Sequence, residues 1–237
     1  MGKEDLVSNN PLRALGLEKI EEGEGRCAGL VMARAGLGKT AILVQIALDS
    51  MLRNNKVLHV SIGEGVEKTR IWYDDILKLM DQEKKIKGFP ELAADVMQHR
   101  MIMTFKESGF NAAILEERMA DMVQQDIFKP ACLVIDGFDF TAPESESSLH
   151  ELKDLMEKND LQMIWFSAVC HRDDTRVSAN GVPAPCHKVD SFFDTVLLIS
   201  PEDNALKLKT LKCPAACSLG AGKFLLLDPA TMLIKQA

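Results

Sequence analysis

The chain reads as an α/β protein. We expect a mainly parallel sheet covered by helices on both faces and closed at its C-terminal end by antiparallel β-ribbons. Three observations predict this. Short apolar runs bounded by turn residues recur along the 237 residues. Segments with helical periodicity separate most of them. After Phe192 the apolar runs continue with no helix between them. Strands buried on both faces read as continuous apolar stretches, and their alternation with helices is the pattern of a parallel sheet.

Residues 1–25 are polar, with a turn signal at Asn9-Asn10-Pro11 and glycines at Gly23 and Gly25. They are expected to form a lead-in segment with a short helix around 12–20, and residues 26–237 to form one folded domain. The first strand is Ala28-Gly29-Leu30-Val31-Met32, followed by a helix over 41–49 and a turn at Asn54-Asn55. Val57-Leu58-His59-Val60-Ser61-Ile62 is the second strand, rich in β-branched residues. His59 within it reads as a satisfied strand histidine rather than a ligand. A helix over 66–81 follows, with apolar positions at Ile71, Ile76, Leu77 and Leu79. The pair Trp72-Tyr73 in it fits packing better than stacking on a base. Residues 101–105 form the next strand. The helix over 111–125 places Ile114, Leu115, Met119, Met122 and Val123 on one face. Residues 131–136 form a buried strand that ends in the carboxylate of Asp136. A helix over 147–158 carries Leu149, Leu152 and Leu155, with Ser145 or Ser147 as its cap. Residues 163–169 form another buried strand, and the ribbons occupy 195–199, 205–211 and 223–227. Gly220-Ala221-Gly222-Lys223 has no following Ser/Thr or helix and reads as a hairpin turn.

Composition sets limits on function. Apolar residues make up 46% and charged residues 27%, the balance of a globular domain of this length. The net charge of −7 predicts no general attraction to nucleic acid and leaves a local basic groove as the route to one. No apolar run approaches the ~20 residues that span a bilayer, so no membrane partner is expected. Met1-Gly2-Lys3-Glu4-Asp5-Leu6 has no secretory apolar region, which predicts a cytoplasmic location. The six cysteines then read as reduced thiols. Cys170-His171, Cys186-His187 and the Cys213 and Cys217 pair fit no zinc spacing.

Ala33-Arg34-Ala35-Gly36-Leu37-Gly38-Lys39-Thr40 carries the chemistry. Strand, loop and helix in that order aim several backbone N–H groups and the positive end of a helix dipole at one spot, which suits phosphate. The cradle is expected from Ala35, Gly36, Leu37, Gly38, Lys39, Thr40 and Ala41. Lys39 would reach the outer phosphates, stabilising their charge during catalysis, and the Thr40 hydroxyl would ligate Mg²⁺. The first glycine of the usual G-x-x-x-x-G-K-[ST] pattern is Ala33 here, at its least demanding position. Asp136 at a strand end is the second metal ligand expected. Gly137-Phe138-Asp139 follows it, so a base directly after that Asp is disfavoured. Glu64, in the loop after the second strand, is the candidate to orient an attacking water.

With these residues in place, the chain resembles the RecA-like P-loop ATPases, and within them the KaiC and DnaB-helicase branch. The resemblance covers roughly 26–235. It rests on the phosphate loop, its helix with Gln45 and Ala47, the Glu64 loop, the Asp136 strand and the terminal ribbons. It implies ATP as ligand with Mg²⁺ and a site completed by a neighbouring copy, hence a homo-oligomer, with a hexamer as one form. Members of that family carry a catalytic Glu, often a Glu-Glu pair, after the second strand. The match puts Gly63 at the first Glu and Glu64 at the second. Relatives have Ser-Gln where this chain has Ser167-Ala168, and nearby His171 and Arg172 are the residues that could contact the γ-phosphate instead. The family also brings a Lys across from the next subunit, which makes Lys212 a candidate trans-acting catalytic cation; its companion Arg is Pro214 here. The implied activity is Mg-dependent ATP binding with slow hydrolysis. The alternatives are a nucleotide-dependent switch or assembly protein with little turnover, and a DNA recombination or helicase accessory ATPase.

Overall fold

Cys27–Ala33 (β1) is buried at every position because it runs through the middle of an eight-stranded sheet. The structure, a computed structural model, describes residues 10–17, 26–214 and 221–235. In chain order its further elements are Pro11–Ala14 (α1), Lys39–Leu52 (α2), Val57–Ile62 (β2), Val66–Lys84 (α3), Phe89–Met97 (α4) and Arg100–Phe105 (β3). Ala112–Gln124 (α5), Cys132–Asp136 (β4), Ser145–Lys158 (α6), Met163–Val169 (β5), Thr195–Glu202 (β6), Ala205–Lys212 (β7) and Phe224–Leu227 (β8) complete it. The strand order is β3-β2-β4-β5-β1-β6-β7-β8. Every pair from β3 to β6 is parallel, and β7 and β8 are added antiparallel. The predicted fold class is therefore the observed one. The first ribbon strand, β6, is also parallel to β1 and so belongs to both parts of the sheet.

Side chains alternate across this sheet, because successive residues of a strand point to opposite faces. Val31, Val57, Val134, Trp165 and Leu197 enter one core layer with α2, α3 and α4. Leu30, Leu58, Ile135, Ile164 and Phe166 enter the other with α5 and α6. Each large side chain removed from water this way stabilises the fold by about 1.5–3 kcal/mol. The helix after the phosphate loop is buried along its length from Ala41 to Leu52. Such all-round burial explains why it is apolar on every side. Gly29 lets Trp165 lie across β1; a β-carbon there would sit 2.5 Å from the indole Cε2.

The lead-in residues pack onto α2. Asn10 accepts from Leu12 N at 3.0 Å and donates to Gln45 O at 2.6 Å. Leu12, Leu15 and Leu17 join the same core layer, and Asp49, with its side chain 2% exposed, binds both Arg13 and Arg53. The expected helix over 12–20 ends early, at Ala14, where Gly16 takes a left-handed φ of 68°; residues 18–20 lie outside the described residues.

Three further details depart from the sequence reading. The helix α4 was not anticipated: it follows Gly88 in the left-handed region, fully buries Val96, and packs Phe89, Leu92, Ala93 and Met97 on the same core layer at helical spacing. In α3 Ile71 is 56% exposed, while Tyr73 lies in the core beside Ile76, Leu77 and Met80. The Tyr73 hydroxyl bonds His59 Nδ1 at 2.9 Å, and Arg100 lies 4.8 Å from the Tyr73 ring centroid. His59 is thus the buried strand histidine expected, although its Nε2 has no partner among the described residues. The cap of α6 is Glu144, and Ser147 Oγ donates to the Glu144 carbonyl. Of the expected glycine turn, Ala221 and Gly222 form a turn before β8, while Gly220 lies outside the described residues.

Candidate functional site

The phosphate loop leaves the sheet at Ala33 and enters α2 at Lys39. Ala33 is still in β1, pairing with Val169 and Ile199, and its carbonyl accepts from Cys170 N at 2.9 Å. Its backbone is extended, which is the physical reason alanine serves where the pattern has glycine. Gly36 and Gly38 take φ values of 77° and 81°, where a β-carbon is unfavourable. Gly38 is the N-cap of α2 and offers no side-chain oxygen. The first N–H groups of the helix are therefore left to an external acceptor. Gly38 also has a close neighbour: a β-carbon would lie 2.6 Å from Met232 Sδ. Met232 is fixed through its carbonyl, which accepts from Gln45 Nε2 at 2.9 Å. Sequence reasoning assigned no role to Met232, which comes from the far end of the chain.

Lys39 is half-buried beside this loop. Burial lowers the pKa of its ammonium, and the negative charge of Asp136 and the Cys170 thiol act against that. Thr40 Oγ1 donates to Asp136 Oδ2 at 2.6 Å. Ser167 Oγ donates to the other oxygen, Oδ1, and accepts from Gly137 N at 3.4 Å. Asp136 is thus held by two hydroxyls, one from the phosphate loop and one from the neighbouring strand. A hydroxyl and a carboxylate side by side are the hard oxygen donors that Mg²⁺ takes, and both side chains remain partly open to solvent. The donor set fits that metal. Ala168, beside Ser167, points into the core and is 3% exposed, so only the serine of that pair faces the site.

The other candidates fall elsewhere. The Glu64 side chain is 52% exposed and pairs with Lys68 one helical turn on. It borders a shallow pocket with Gly63, Lys106 and Arg118. Lys212 Nζ donates to the Asp190 carbonyl of its own chain at 2.9 Å. His171 lines a cavity described below, and Arg172 is exposed. Cys27, Cys132, Cys170, Cys186 and Cys213 form no disulfide among the described residues. Among the described residues no group of three or more His, Cys, Asp or Glu is arranged to hold a metal. No described helix is long and apolar enough to cross a membrane.

A cavity of about 540 Å³ opens over the carboxyl ends of β2, β4 and β5. Ile62, Gly137, Ser167 and His171 border it from the sheet side, and Glu107 and Asn111 from the segment after β3. Gly137, with φ of 92°, lies against the Ile62 carbonyl oxygen, which a β-carbon would strike. In open α/β sheets this end of the strands is where ligands bind.

No protein-family model matches the chain, and no curated protein matches it. Among solved structures it is similar to one described as an ATPase domain, with a TM-score of 0.62 at 14% identity. The likeness covers 93% of this chain and 95% of that one. The chain therefore has a RecA-like P-loop fold, and the likeness does not single out the KaiC/DnaB-like branch.

Proposed function

We propose that the chain binds ATP with Mg²⁺ and hydrolyses it slowly, in a site completed by a second copy. The observation that carries this is the 2.6 Å bond from Thr40 to Asp136, with the half-buried Lys39 beside it. It joins the phosphate loop to β4 at the point where a metal would need both. In this reading the N–H groups from Ala35 to Ala41 and the Lys39 ammonium bind the phosphates. Thr40 and Asp136 hold Mg²⁺, which when bound offsets the charge that builds on the phosphates during transfer. Ser167 keeps the Asp136 carboxylate oriented toward Thr40. Lys212 is the proposed contribution of one copy to the next, and it would have to leave the Asp190 carbonyl to act.

The test is nucleotide binding and phosphate release with Lys39→Ala as the control. We expect the parent to bind ATP more tightly with Mg²⁺ than without, and the variant to lose at least ~100-fold in affinity, about two charge-assisted contacts. Equal binding by both proteins would end the proposal. Oligomer mass with and without ATP tests the shared site. A second reading, a nucleotide-dependent switch with little turnover, is favoured by one observation: Gly63, at the end of β2, carries no side chain. Tight binding with no phosphate release above the Lys39→Ala background would select it.

A further inference from the structure

Hydrolysis needs a group that orients water toward the outer phosphate, and the end of β2 is sparsely equipped for it. Gly63 has no side chain, and Glu64 is turned to Lys68 and borders a different pocket. The cavity over β2, β4 and β5 holds three carboxylates: Glu107, Asp139 and Glu144. Asp139 is occupied, since its Oδ1 accepts from Thr141 N at 2.8 Å and from Thr141 Oγ1 at 2.6 Å. Glu144 sits at the outer end, as the residue preceding α6. Glu107 remains.

Its placement is specific. β2 and β3 are paired so that Ile62 faces Phe105, and Gly63 N donates to the Phe105 carbonyl at 2.9 Å. Two residues later the chain turns in a short 3₁₀ segment, Glu107–Gly109, which brings the Glu107 side chain back over Gly63. A β-carbon on Gly63 would lie 3.0 Å from Glu107 Oε1 and 3.1 Å from its Cγ. The carboxylate therefore fills the space that a side chain on Gly63 would take. On the other side of β2, Gly137 presses against Ile62 and follows directly on Asp136. Asp136, the end of β2 and Glu107 thus form a continuous run across three strands. Glu107 accepts no hydrogen bond and makes no ion pair among the described residues, so its oxygens are available.

We infer that Glu107 is the carboxylate that orients the attacking water, delivered from the neighbouring strand to the place left by Gly63. This rests on the Mg·ATP reading above. In the step, the water oxygen forms a bond to the γ-phosphorus while the bond from that phosphorus to the β–γ bridging oxygen breaks. ADP leaves with the electron pair of that bond. The water's proton passes to Glu107 and then to the released phosphate or to solvent. The products are ADP and inorganic phosphate.

The experiment compares the parent with Glu107→Gln, Glu64→Gln and Lys39→Ala, reading phosphate release and, separately, Mg·ATP affinity from a fluorescent analogue. Glu107→Gln should cut turnover by about tenfold or more, less than the ~10²–10⁴-fold a general base typically supplies because turnover starts slow. Its Mg·ATP affinity and melting temperature should stay with the parent's. Turnover that survives in Glu107→Gln, or that is lost in Glu64→Gln instead, overturns the assignment and leaves the nucleotide site standing. Binding without any turnover in the parent also overturns it and selects the switch. Absence of binding in the parent removes the Mg·ATP reading itself. Parallel loss of affinity and turnover in Glu107→Gln would mean that the residue supports the fold of the site and not the water.

Discussion

Asp136→Asn isolates what the carboxylate does, because the shape is kept and one negative charge is removed. Two effects follow, and they are separable. Without nucleotide, Asp136 accepts from Thr40 and Ser167. Bonds to an ionised acceptor are worth ~1.5–3 kcal/mol and neutral ones ~1, so each bond weakens by about 1 kcal/mol. The asparagine amide can still accept one hydroxyl and donate to the other, which leaves a net loss of ~1–2 kcal/mol. For a chain of this size that lowers the melting temperature by about 2–8 °C. With nucleotide, the proposed Mg²⁺ site loses an anionic ligand. ATP affinity measured in EDTA should change by less than ~3-fold, while the gain on adding Mg²⁺ should shrink by at least ~10-fold, the equivalent of ~1.4 kcal/mol. The assay is a titration of a fluorescent ATP analogue in paired buffers, together with a thermal melt. If the variant gains as much affinity from Mg²⁺ as the parent does, Asp136 is not a metal ligand. An unchanged melting temperature would show instead that the two hydroxyl bonds carry no weight.

Two further outcomes are expected. Burial holds the His59 pKa down at about 4, against ~6.5 in an unfolded chain. The unfolded state takes up that proton first as pH falls. Stability is therefore full above about pH 6.5 and declines toward pH 4 by about 3 kcal/mol from this group. Denaturant midpoints at several pH values should fall less steeply in His59→Gln, and parallel slopes would mean that His59 does not titrate this way. Gly38→Ala should cost about 1–2 kcal/mol for the left-handed backbone plus a clash with Met232. Adding Met232→Ala should recover the clash and leave the backbone cost. A double-mutant cycle with no coupling would place Met232 elsewhere.

The centre of the sheet was legible because its strands β1, β2, β4 and β5 are buried on both faces. Val57–Ile62 and Met163–Val169 have the bounds read from their apolar runs, the first set off by Lys56 and Gly63 and the second by Gln162 and Cys170. The fold class followed from their alternation with helices. In α4 the apolar spacing was there to be read, at Phe89, Leu92, Ala93, Val96 and Met97, across a helix of nine residues. Where a polar atom decides burial, the pattern misled: Ile71 looked like core and is exposed, while Tyr73 is buried because His59 meets its hydroxyl. The site divides in the same way. That Lys39, Thr40 and Asp136 come together was readable, since a loop and its helix are local in sequence and Asp136 ends a strand. The placement of Glu107 and Met232 was not. They reach Gly63 and Gly38 through strand register and a folded-back segment, and nothing in their local sequence marks that arrival.

The placement of β1 has a consequence for how this protein is made. The strand that launches the phosphate loop comes early in the chain, yet its two partners are β5 and β6, and the segment resting on Gly38 comes later still. A nascent chain therefore displays Ala33–Thr40 long before the strands that would hold it have left the ribosome. The loop is written early and assembled late. A fragment that stops short of Met163 would contain the whole phosphate motif and no site, so nucleotide capture by a growing chain would report the completion of the sheet.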